Sequence, residues 1–315
     1  MARNRKTTLS HRLEYAATRA FQGLLCALPA GAARELGASL GAFAWSPLGI
    51  RRHVVLEQIA HALGDDLTDA RRVEIARESY RNFGRMTFEY ARFARLTPED
   101  ITRTVRITGR EHLDAALDAG KGAIIVSGHF GNWEYFATMA SLGYPMTFLV
   151  GEQHNLLVDG VMNRLRARFG GEIVPLTGSL RGIFQALRKN RLVLWLSDQD
   201  AGRRGVFVEF LGRPASTPYG AGRIAESTGS PILPAMAVRR DGGHHELVVR
   251  GPVAVPPADL ETDERVRLLT QGYTDVFEEF IRRYPEQYFW MHRRWKTRPP
   301  ETSGEPAGGG GGTEP

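Results

Sequence analysis

Short apolar runs alternate with stretches of helical periodicity from residue 103 to residue 283. The apolar runs are 103–108, 123–127, 146–150, 172–176, 191–197, 205–210, 231–238 and 246–250. The helical patterns between or after them are 111–119, 133–142, 156–169, 180–189, 218–228 and 263–283. Strands that alternate with helices of about 10–15 residues are typical of parallel sheets. The sequence therefore predicts an α/β fold with a mainly parallel central sheet flanked by helices.

The first 64 residues have a different pattern, in which two helical segments each carry an apolar stripe. The first stripe covers 13–28 and follows a basic stretch, Pro29 ends it, and a second apolar stretch covers 36–50. Neither has the roughly 20 uninterrupted apolar residues that span a bilayer. Basic residues beside an apolar stripe are typical of helices that lie on an anionic membrane surface. We predict an amphipathic helical extension on the membrane; a hairpin packed on the protein's own core is the alternative.

The rest of the chain divides into one long domain and a tail. A helical pattern over 68–96, ending just before Pro98, comes early in the α/β domain predicted for 65–300. Residues 301–315 are rich in glycine and have too few apolar side chains to order themselves. The predicted organisation is a membrane-associating helical segment 1–64, an α/β domain 65–300 and a disordered tail 301–315.

The charge of the chain indicates an acidic partner. Its net charge is +6, and all but four of its 41 basic residues are arginine, which makes bidentate contacts with phosphate and carboxylate groups. Nucleic acid, anionic lipid and an acidic protein are all suitable partners. The single cysteine, Cys26, excludes an internal disulfide and any zinc or iron–sulfur site built from several cysteines.

The segment 123–134 (AIIVSGHFGNWE) is the most informative in the chain. A buried-type strand ends at Ser127, two glycines allow a tight turn, and Asn132 is a suitable helix N-cap. In an open parallel sheet the carboxyl ends of the strands face the ligand crevice, where we expect His129. Glu134, in the next helical turn, can fold back to one ring nitrogen, fix the tautomer and leave the other nitrogen as a general base. The alternative is that His129 only caps a helix or fills a turn.

No serine or cysteine nucleophile is assigned to this histidine. Cys26 lies in the apolar N-terminal helix, and Ser127, on a strand, is displaced from the ring. The nucleophile is then a hydroxyl group of the substrate. The sequence therefore favours group transfer without an acyl-enzyme.

Three segments, in order along residues 10–300, carry a resemblance to a known family. They are 128–134 (GHFGNWE), 197–208 (SDQDAG followed by GVFV) and 285–299 (PEQYFWMHRRWKTRP). His129 and Glu134 match the His-X4-Asp/Glu signature of the glycerolipid and lysophospholipid acyltransferase superfamily. Together the segments resemble the late acyltransferases of lipid A biosynthesis, the lauroyl and myristoyl transferases that act on the Kdo-bearing precursor.

The resemblance implies a glycerolipid acyltransferase-like fold and an enzyme on the cytoplasmic face of the cell inner membrane. Such an enzyme moves a fatty acyl chain from acyl carrier protein to a hydroxyl of the lipid A precursor, with no cofactor and no metal. The implied partners are acyl carrier protein, an anionic glycolipid and the membrane surface, and not nucleic acid. In this hypothesis His129 deprotonates the acceptor hydroxyl, and Glu134 orients and charges the histidine.

The remaining candidate residues are assigned to substrate binding. Arg166 falls where the family has an arginine near the dyad, and we expect it to bind phosphate; a solvated helix face is the alternative. Asn132 and Asp200 follow from their positions in the family segments. Arg293 and Arg294 lie in a basic, tryptophan-containing segment that suits a phosphorylated glycolipid, a nucleic acid or simple aromatic packing.

Asp198 and Asp200 also form a carboxylate doublet that suggests a metal pair. Without another clear ligand the doublet supports a metal only weakly, and we assign these residues structural or substrate-positioning roles. A metal-dependent hydrolase built on them and His129 is one alternative function. The others are the same acyl transfer to another glycolipid or aminolipid, and a membrane-surface or nucleic-acid-binding protein.

Overall fold

A seven-stranded sheet forms the centre of the computed structural model, which describes residues 8–64, 67–176, 178 and 180–300. The strands, including two in a separate hairpin, are β1 (Val105–Thr108), β2 (Ala123–Ser127), β3 (Met146–Val150), β4 (Glu172–Pro175), β5 (Leu192–Leu196), β6 (Val206–Phe210), β7 (Arg213–Thr217), β8 (Ile232–Arg239) and β9 (His245–Val249). The order across the sheet is β1-β9-β8-β2-β5-β3-β4, and only β8 and β9 pair antiparallel among the described strands of this sheet. The predicted α/β fold with a mainly parallel sheet is confirmed.

The hairpin of β6 and β7 differs from the prediction. β6 pairs antiparallel with β7, so the apolar run at 205–210 is not part of the central sheet. The sequence pattern does not predict β7, because Arg213 and Pro214 at its start are exposed and only its last three residues are buried. A strand that is half exposed and half buried has no continuous apolar run.

Helices cover both faces of the sheet. They are α1 (Leu9–Ala27), α2 (Ala30–Trp45), α3 (Arg52–Leu63), α4 (Asp69–Ala91), α5 (Pro98–Thr104), α6 (Arg110–Asp118), α7 (Leu156–Ala167), α8 (Leu180–Arg188), α9 (Gly220–Thr228) and α10 (Thr262–Arg283). The stretch predicted as a helix at 133–142 forms a 3₁₀-helix, Trp133–Leu142. Successive side chains of a strand point to opposite faces, so Ile124 and Ile125 of β2 belong to two different apolar clusters. The core is therefore divided by the sheet into two layers.

Glycines bring helices α2 and α4 into direct backbone contact. A Cβ atom at Gly41 would lie 2.1 Å from the carbonyl oxygen of Tyr80, and one at Gly84 would lie 2.0 Å from that of Gly37. Helices α1 and α3 also contact α4. The inner faces of the N-terminal helices thus pack on the rest of the protein, as in the hairpin alternative.

The outer faces of the N-terminal helices keep large apolar side chains exposed. These side chains are Leu9, Leu13, Phe21, Leu24, Leu36, Leu40 and Phe43, and the loop between α2 and α3 adds the exposed Leu48 and Ile50. Within the described part of the chain, no helix combines the length and the apolar character needed to cross a membrane. Contact of these faces with a membrane surface stays a prediction. The tail 301–315, predicted to be disordered, lies outside the described residues.

The close contact of α2 and α4 can be tested with one added methyl group. We expect Gly41→Ala to lower the free energy of unfolding by about 1–3 kcal/mol, because the new Cβ forces two packed backbones apart. The control is Gly23→Ala in α1, where nothing lies within 4 Å of the added Cβ. It should stabilise the protein by about 0.5–1 kcal/mol, because it removes a glycine from a helix interior. Urea denaturation measures both, and equal effects would contradict the contact.

Candidate active site

His129 and Asp198 meet at the carboxyl ends of two neighbouring parallel strands. The register pairs Ser127, the last residue of β2, with Leu196, the last residue of β5. His129 and Asp198 each follow two residues later, so they lie opposite each other. Nδ1 of His129 is 2.7 Å from Oδ1 of Asp198, and the backbone N–H of His129 donates to Oδ2 over 2.8 Å. Both carboxylate oxygens of Asp198 therefore bind the same residue.

Mutual attraction between His129 and Asp198 favours the charged form of each. Burial lowers the pKa of His129, but the charge of Asp198, its hydrogen bond and the charge of Glu134 together raise that pKa above its ordinary value. Burial raises the pKa of Asp198, whereas His129 outweighs this effect and lowers it. An ionised Asp198 accepts a hydrogen bond from Nδ1–H, so the neutral form of His129 has its lone pair on Nε2. Among the described residues Nε2 has no hydrogen-bond partner, and the ring lines a cavity.

Glu134 does not occupy the position that the sequence analysis predicts for it. Its two carboxylate oxygens accept hydrogen bonds from Nε and Nη2 of Arg166, at 2.8 and 2.6 Å. The residue lies in the 3₁₀-helix and faces α7, while Asp198 already occupies Nδ1 of His129. The predicted contact between Glu134 and the imidazole is therefore wrong. Glu134 influences His129 through its charge alone, which still raises the pKa of His129.

Arg166 is fixed by its own partners. Besides Glu134, its Nη1 donates to Asn163 over 3.2 Å, and its guanidinium lies 5.5 Å from the ring centroid of Tyr90. Burial lowers the pKa of Arg166, but the hydrogen bond and charge of Glu134 raise it by more. The side chain lines the cavity beside His129. Its donors are largely engaged within the protein, so binding of a substrate phosphate stays a prediction.

A cavity of about 480 Å³ lies in front of His129. Its polar side chains are His129, Glu134, Arg166, Gln153 and Gln199. The rest of its wall is mostly apolar and comes from β3, β5, α7 and the 3₁₀-helix: Trp133, Ala137, Phe148, Leu149, Val150, Met162, Leu176, Leu194, Trp195 and Leu196. An apolar cavity with a few convergent polar groups is the usual form of a site for a small molecule or an acyl chain.

Asn132 and Glu89 hold the loop that carries His129. Asn132 precedes the 3₁₀-helix, but its side chain makes no capping bond; its amide donates to Glu89 over 2.8 Å. Glu89 also pairs with Arg239, at 2.7 and 2.9 Å. Burial raises the pKa of Glu89, but Arg239 and His245 lower it well below its ordinary value. Asn132 is fully buried, so its structural contact replaces the predicted substrate contact.

Backbone contacts complete the support of this loop. The backbone N–H of Gly131 donates to Gln287 over 2.8 Å, and that of Phe289 donates to His129 over 3.0 Å. Gly131 has φ +58°, and a Cβ atom there would lie 1.8 Å from the carbonyl oxygen of Ala237. Only glycine fits this position.

Asp200 has the structural one of the two roles predicted for it, whereas Arg294 differs from its predicted role. Oδ2 of Asp200 accepts a hydrogen bond from Oγ1 of Thr297 over 3.0 Å, so this aspartate anchors the C-terminal segment. Arg294 is 2% exposed, donates to the carbonyl oxygen of Ser216 over 2.6 Å and lies over the ring of Phe210. No substrate reaches a guanidinium enclosed in this way, so Arg294 is a structural residue.

Arg293 is exposed and lines a second cavity, which does not include His129. Asp198 and Asp200 bind different partners and do not form a metal pair. No group of three or more His, Cys, Asp or Glu side chains in the described ranges is arranged to hold a metal ion.

The chain is similar in sequence to a known protein family. The sequence profile of the family described as "Bacterial lipid A biosynthesis acyltransferase" matches residues 3–297. The chain belongs to this family. A phosphatidylinositol mannoside acyltransferase of Mycobacterium tuberculosis is 30% identical over 227 residues, 69% of each chain. The lipid A biosynthesis lauroyltransferase of Escherichia coli is 30% identical over 203 residues, 63% of this chain and 64% of the relative. The chain is thus an acyltransferase of the lipid A late acyltransferase family.

The relatives differ in their acceptors. A palmitoleoyltransferase of lipid A biosynthesis from Escherichia coli is 28% identical over 268 residues, 84% of this chain and 85% of the relative. The mycobacterial relatives carry the name of a different lipid, phosphatidylinositol mannoside. Family membership therefore identifies the reaction as acyl transfer but does not identify the acceptor lipid.

The two carboxylates near His129 should act on its pKa to different extents. We expect Asp198→Asn to lower the pKa of His129, because the charge in direct contact is lost. Glu134→Gln should shift it less in the same direction, since that charge is shared with Arg166. A general base works above its pKa, so the acid limb of kcat/KM should move to lower pH in the same order. NMR titration of His129 checks the shifts, and a larger shift in Glu134→Gln would restore the dyad predicted from sequence.

Removing one partner of the buried pair of Glu89 and Arg239 should strongly destabilise the protein. We expect Glu89→Ala to lower the free energy of unfolding by about 3–5 kcal/mol, because it leaves a buried guanidinium without its counter-charge. The control is Glu264→Ala, which removes an exposed pair with Arg267 and should change the free energy of unfolding very little, because solvent screens such a pair. Guanidinium chloride denaturation measures the difference, and similar losses would contradict the role of the buried pair.

Proposed function

We propose that the protein transfers a fatty acyl chain from an acyl carrier protein thioester to a hydroxyl of a Kdo-bearing lipid A precursor. The reaction takes place at the cytoplasmic face of the inner membrane and needs no cofactor. The observation that supports this proposal is the position of His129, whose Nδ1 binds Asp198, whose Nε2 has no hydrogen-bond partner among the described residues, and whose side chain lines an apolar cavity. A base at the mouth of an apolar cavity suits an alcohol and an acyl chain as reactants.

In the proposed mechanism His129 moves one proton twice. Its Nε2 takes the proton of the acceptor hydroxyl while the oxygen attacks the thioester carbonyl. The carbon–sulfur bond then breaks, and His129 returns the proton to the leaving thiolate. Asp198 orients the ring and stabilises the imidazolium between these steps. A positioned general base contributes about 10²–10⁴-fold to such a rate.

Asp198 takes over the orienting role first assigned to Glu134. Glu134 and Arg166 act as positioning residues, because their bidentate pair fixes the 3₁₀-helix against α7 at the wall of the cavity. The amides of Trp133 and Glu134 open the 3₁₀-helix and have no acceptor within it. The ring of Trp133 lies 4.9 Å from that of His129. These amides are suited to bind the oxyanion of the tetrahedral intermediate.

The cavity suits one fatty acyl chain. Its volume of about 480 Å³ lies within the range of roughly 300–1,000 Å³ that is usual for ligand cavities. The leucine, valine and phenylalanine side chains of β3 and β5 supply the apolar wall for such a chain.

A second acceptor has direct support among the relatives. The mycobacterial phosphatidylinositol mannoside acyltransferase has the same 30% identity as the Escherichia coli lauroyltransferase. The alternative function is therefore the same acyl transfer to a mannosylated phospholipid or another glycolipid. The base and the cavity serve both acceptors equally.

The proposed function can be tested with purified protein and defined substrates. A series of acyl carrier protein thioesters is offered with the tetra-acylated Kdo-bearing precursor or with a mannosylated phosphatidylinositol, and products are identified by mass spectrometry. We expect one added acyl chain on the lipid A precursor and none on the mannoside. His129→Asn should lower the rate by about 10²–10⁴-fold, while its amide can still donate to Asp198.

The control for the histidine is His112→Asn in α6, on a residue outside the cavity. It should retain the rate of the wild-type enzyme. Transfer only to the mannoside would establish the alternative acceptor. Full activity of His129→Asn, with a melting temperature equal to that of the wild type, would reject the proposed base.

A further inference from the structure

A second cavity, of about 600 Å³, lies beside the C-terminal segment. It is formed by α3, the start of β7 and residues 293–299, and it shares no lining residue with the cavity at His129. We call it the basic groove, because Arg213, Arg293, Lys296, Arg298 and His61 line it. Glu57 is the only acidic residue that lines this groove within the described chain.

The four permanent cations of the basic groove are not held in ion pairs in the described part of the chain. Arg213, Arg293, Lys296 and Arg298 are all exposed, and none of them has a carboxylate within ion-pair distance there. Elsewhere many arginines are paired, such as Arg265 with Glu226 and Arg267 with Glu264. Four cations that converge beside the single carboxylate of Glu57 create a net positive potential, which attracts an acidic partner.

The lining of the basic groove favours a water-borne partner over a lipid headgroup. Its described lining contains no leucine, isoleucine, valine, methionine or phenylalanine, and its apolar side chains are Pro214, Pro299 and Trp295. Exposed leucines are found instead on α1 and α2, and the exposed Leu176 lines the cavity at His129. A surface that contacts a bilayer combines cations with a continuous apolar face, whereas most of the described lining of the basic groove is charged or polar.

The basic groove is close to the catalytic pair and is connected to it through Thr297 and Asp200. Thr297 lines the groove and binds Asp200 over 3.0 Å, and Asp198 lies two residues before Asp200. Two residues of chain span at most about 7 Å. A ligand in the groove is therefore close to the edge of the sheet where His129 lies. The exposed Arg203 and Arg204, in a 3₁₀-turn that contacts β7, add to the positive charge at this edge.

We propose that the basic groove docks the acidic carrier protein that delivers the acyl thioester. This inference rests on the proposed function for the identity of the partner. The carrier binds through its acidic surface to Arg213, Arg293, Lys296 and Arg298. Its thioester arm then reaches His129 from the groove side, while the acyl chain enters the apolar cavity.

The test is a double charge reversal, Lys296→Glu with Arg298→Glu. The matched control is Arg188→Glu with Lys189→Glu, an exposed pair at the end of α8, before β5 and so at the opposite edge of the sheet. Binding of fluorescently labelled carrier protein without an acyl chain is followed by anisotropy. Kinetics are measured with the carrier thioester and with the uncharged thioester of free pantetheine.

We expect the groove variant to bind the carrier at least about tenfold more weakly and to lose the salt dependence of binding. Its KM for the carrier thioester should rise similarly, with kcat/KM for the pantetheine thioester unchanged. The control variant should match the wild type. Unchanged carrier binding, or an equal loss with both thioesters, would overturn the docking site. A rise in KM for the lipid acceptor alone would also overturn it and assign the groove to a headgroup.

Different results would disprove the proposed function and the proposed docking site. If the wild-type protein transfers no acyl chain but binds the carrier through the groove, the proposed function falls and the docking site stands. If the wild-type protein transfers acyl chains and the groove variant binds the carrier normally, the docking site falls and the proposed function stands.

Discussion

The bond between His129 and Asp198 depends on the pairing of two strands that are far apart in sequence. β2 and β5 are parallel neighbours, and each ends two residues before one member of the pair. A shift of one strand by a single register step would move Asp198 along the strand direction by about 3.3 Å, away from Nδ1. The apolar side chains that fix the register of β2, buried on both faces, therefore also fix the geometry of the base.

Three buried carboxylates near this edge have separate partners. Asp198 binds His129, Glu134 binds Arg166 and Glu89 binds Arg239. A buried charge without a partner costs several kcal/mol, so each pair has to form as a unit. The separate pairing of the three carboxylates has a chemical consequence. Because Arg166 and Arg239 hold two of the carboxylates by bidentate contacts, only Asp198 is in contact with the imidazole, and its neighbour Glu134 acts on His129 through space.

The sequence predicts the parts of this site better than their arrangement. The strand at 123–127 and the turn at His129 follow from local patterns, since a buried strand is apolar throughout and glycines mark the turn. The partner of His129 does not follow, because strand order depends on contacts between distant segments. A usable signal exists nonetheless: 197–200 (SDQD) follows the strand predicted at 191–197, just as His129 follows the one at 123–127. Knowing that these strands are neighbours would place Asp198 opposite His129.

The environments of Arg294 and Gly41 also depend on contacts between distant segments, which the sequence does not predict. Arg294 and Arg293 are adjacent and chemically identical in sequence, yet one is enclosed beside Phe210 and the other is exposed. The two residues lie in an irregular segment with turns, which buries one side chain and exposes the next, so a basic cluster in sequence is divided between the core and the surface. Glycine at position 41 likewise shows no pattern by itself. Its role appears only when α4 is placed against α2.

Acyl transfer between a lipid and a water-soluble thioester requires that two partners reach one base from different surroundings. The apolar cavity and the exposed leucines of α1 and α2 suit the lipid side. The basic groove, whose described cations are unpaired and whose described lining is mainly charged or polar, suits the aqueous side. The C-terminal segment lies between them: Phe289 binds the carbonyl oxygen of His129, and Thr297 lines the groove. A single short segment thus connects both approaches to the base, which explains why Asp200 and the buried Arg294 serve to anchor it.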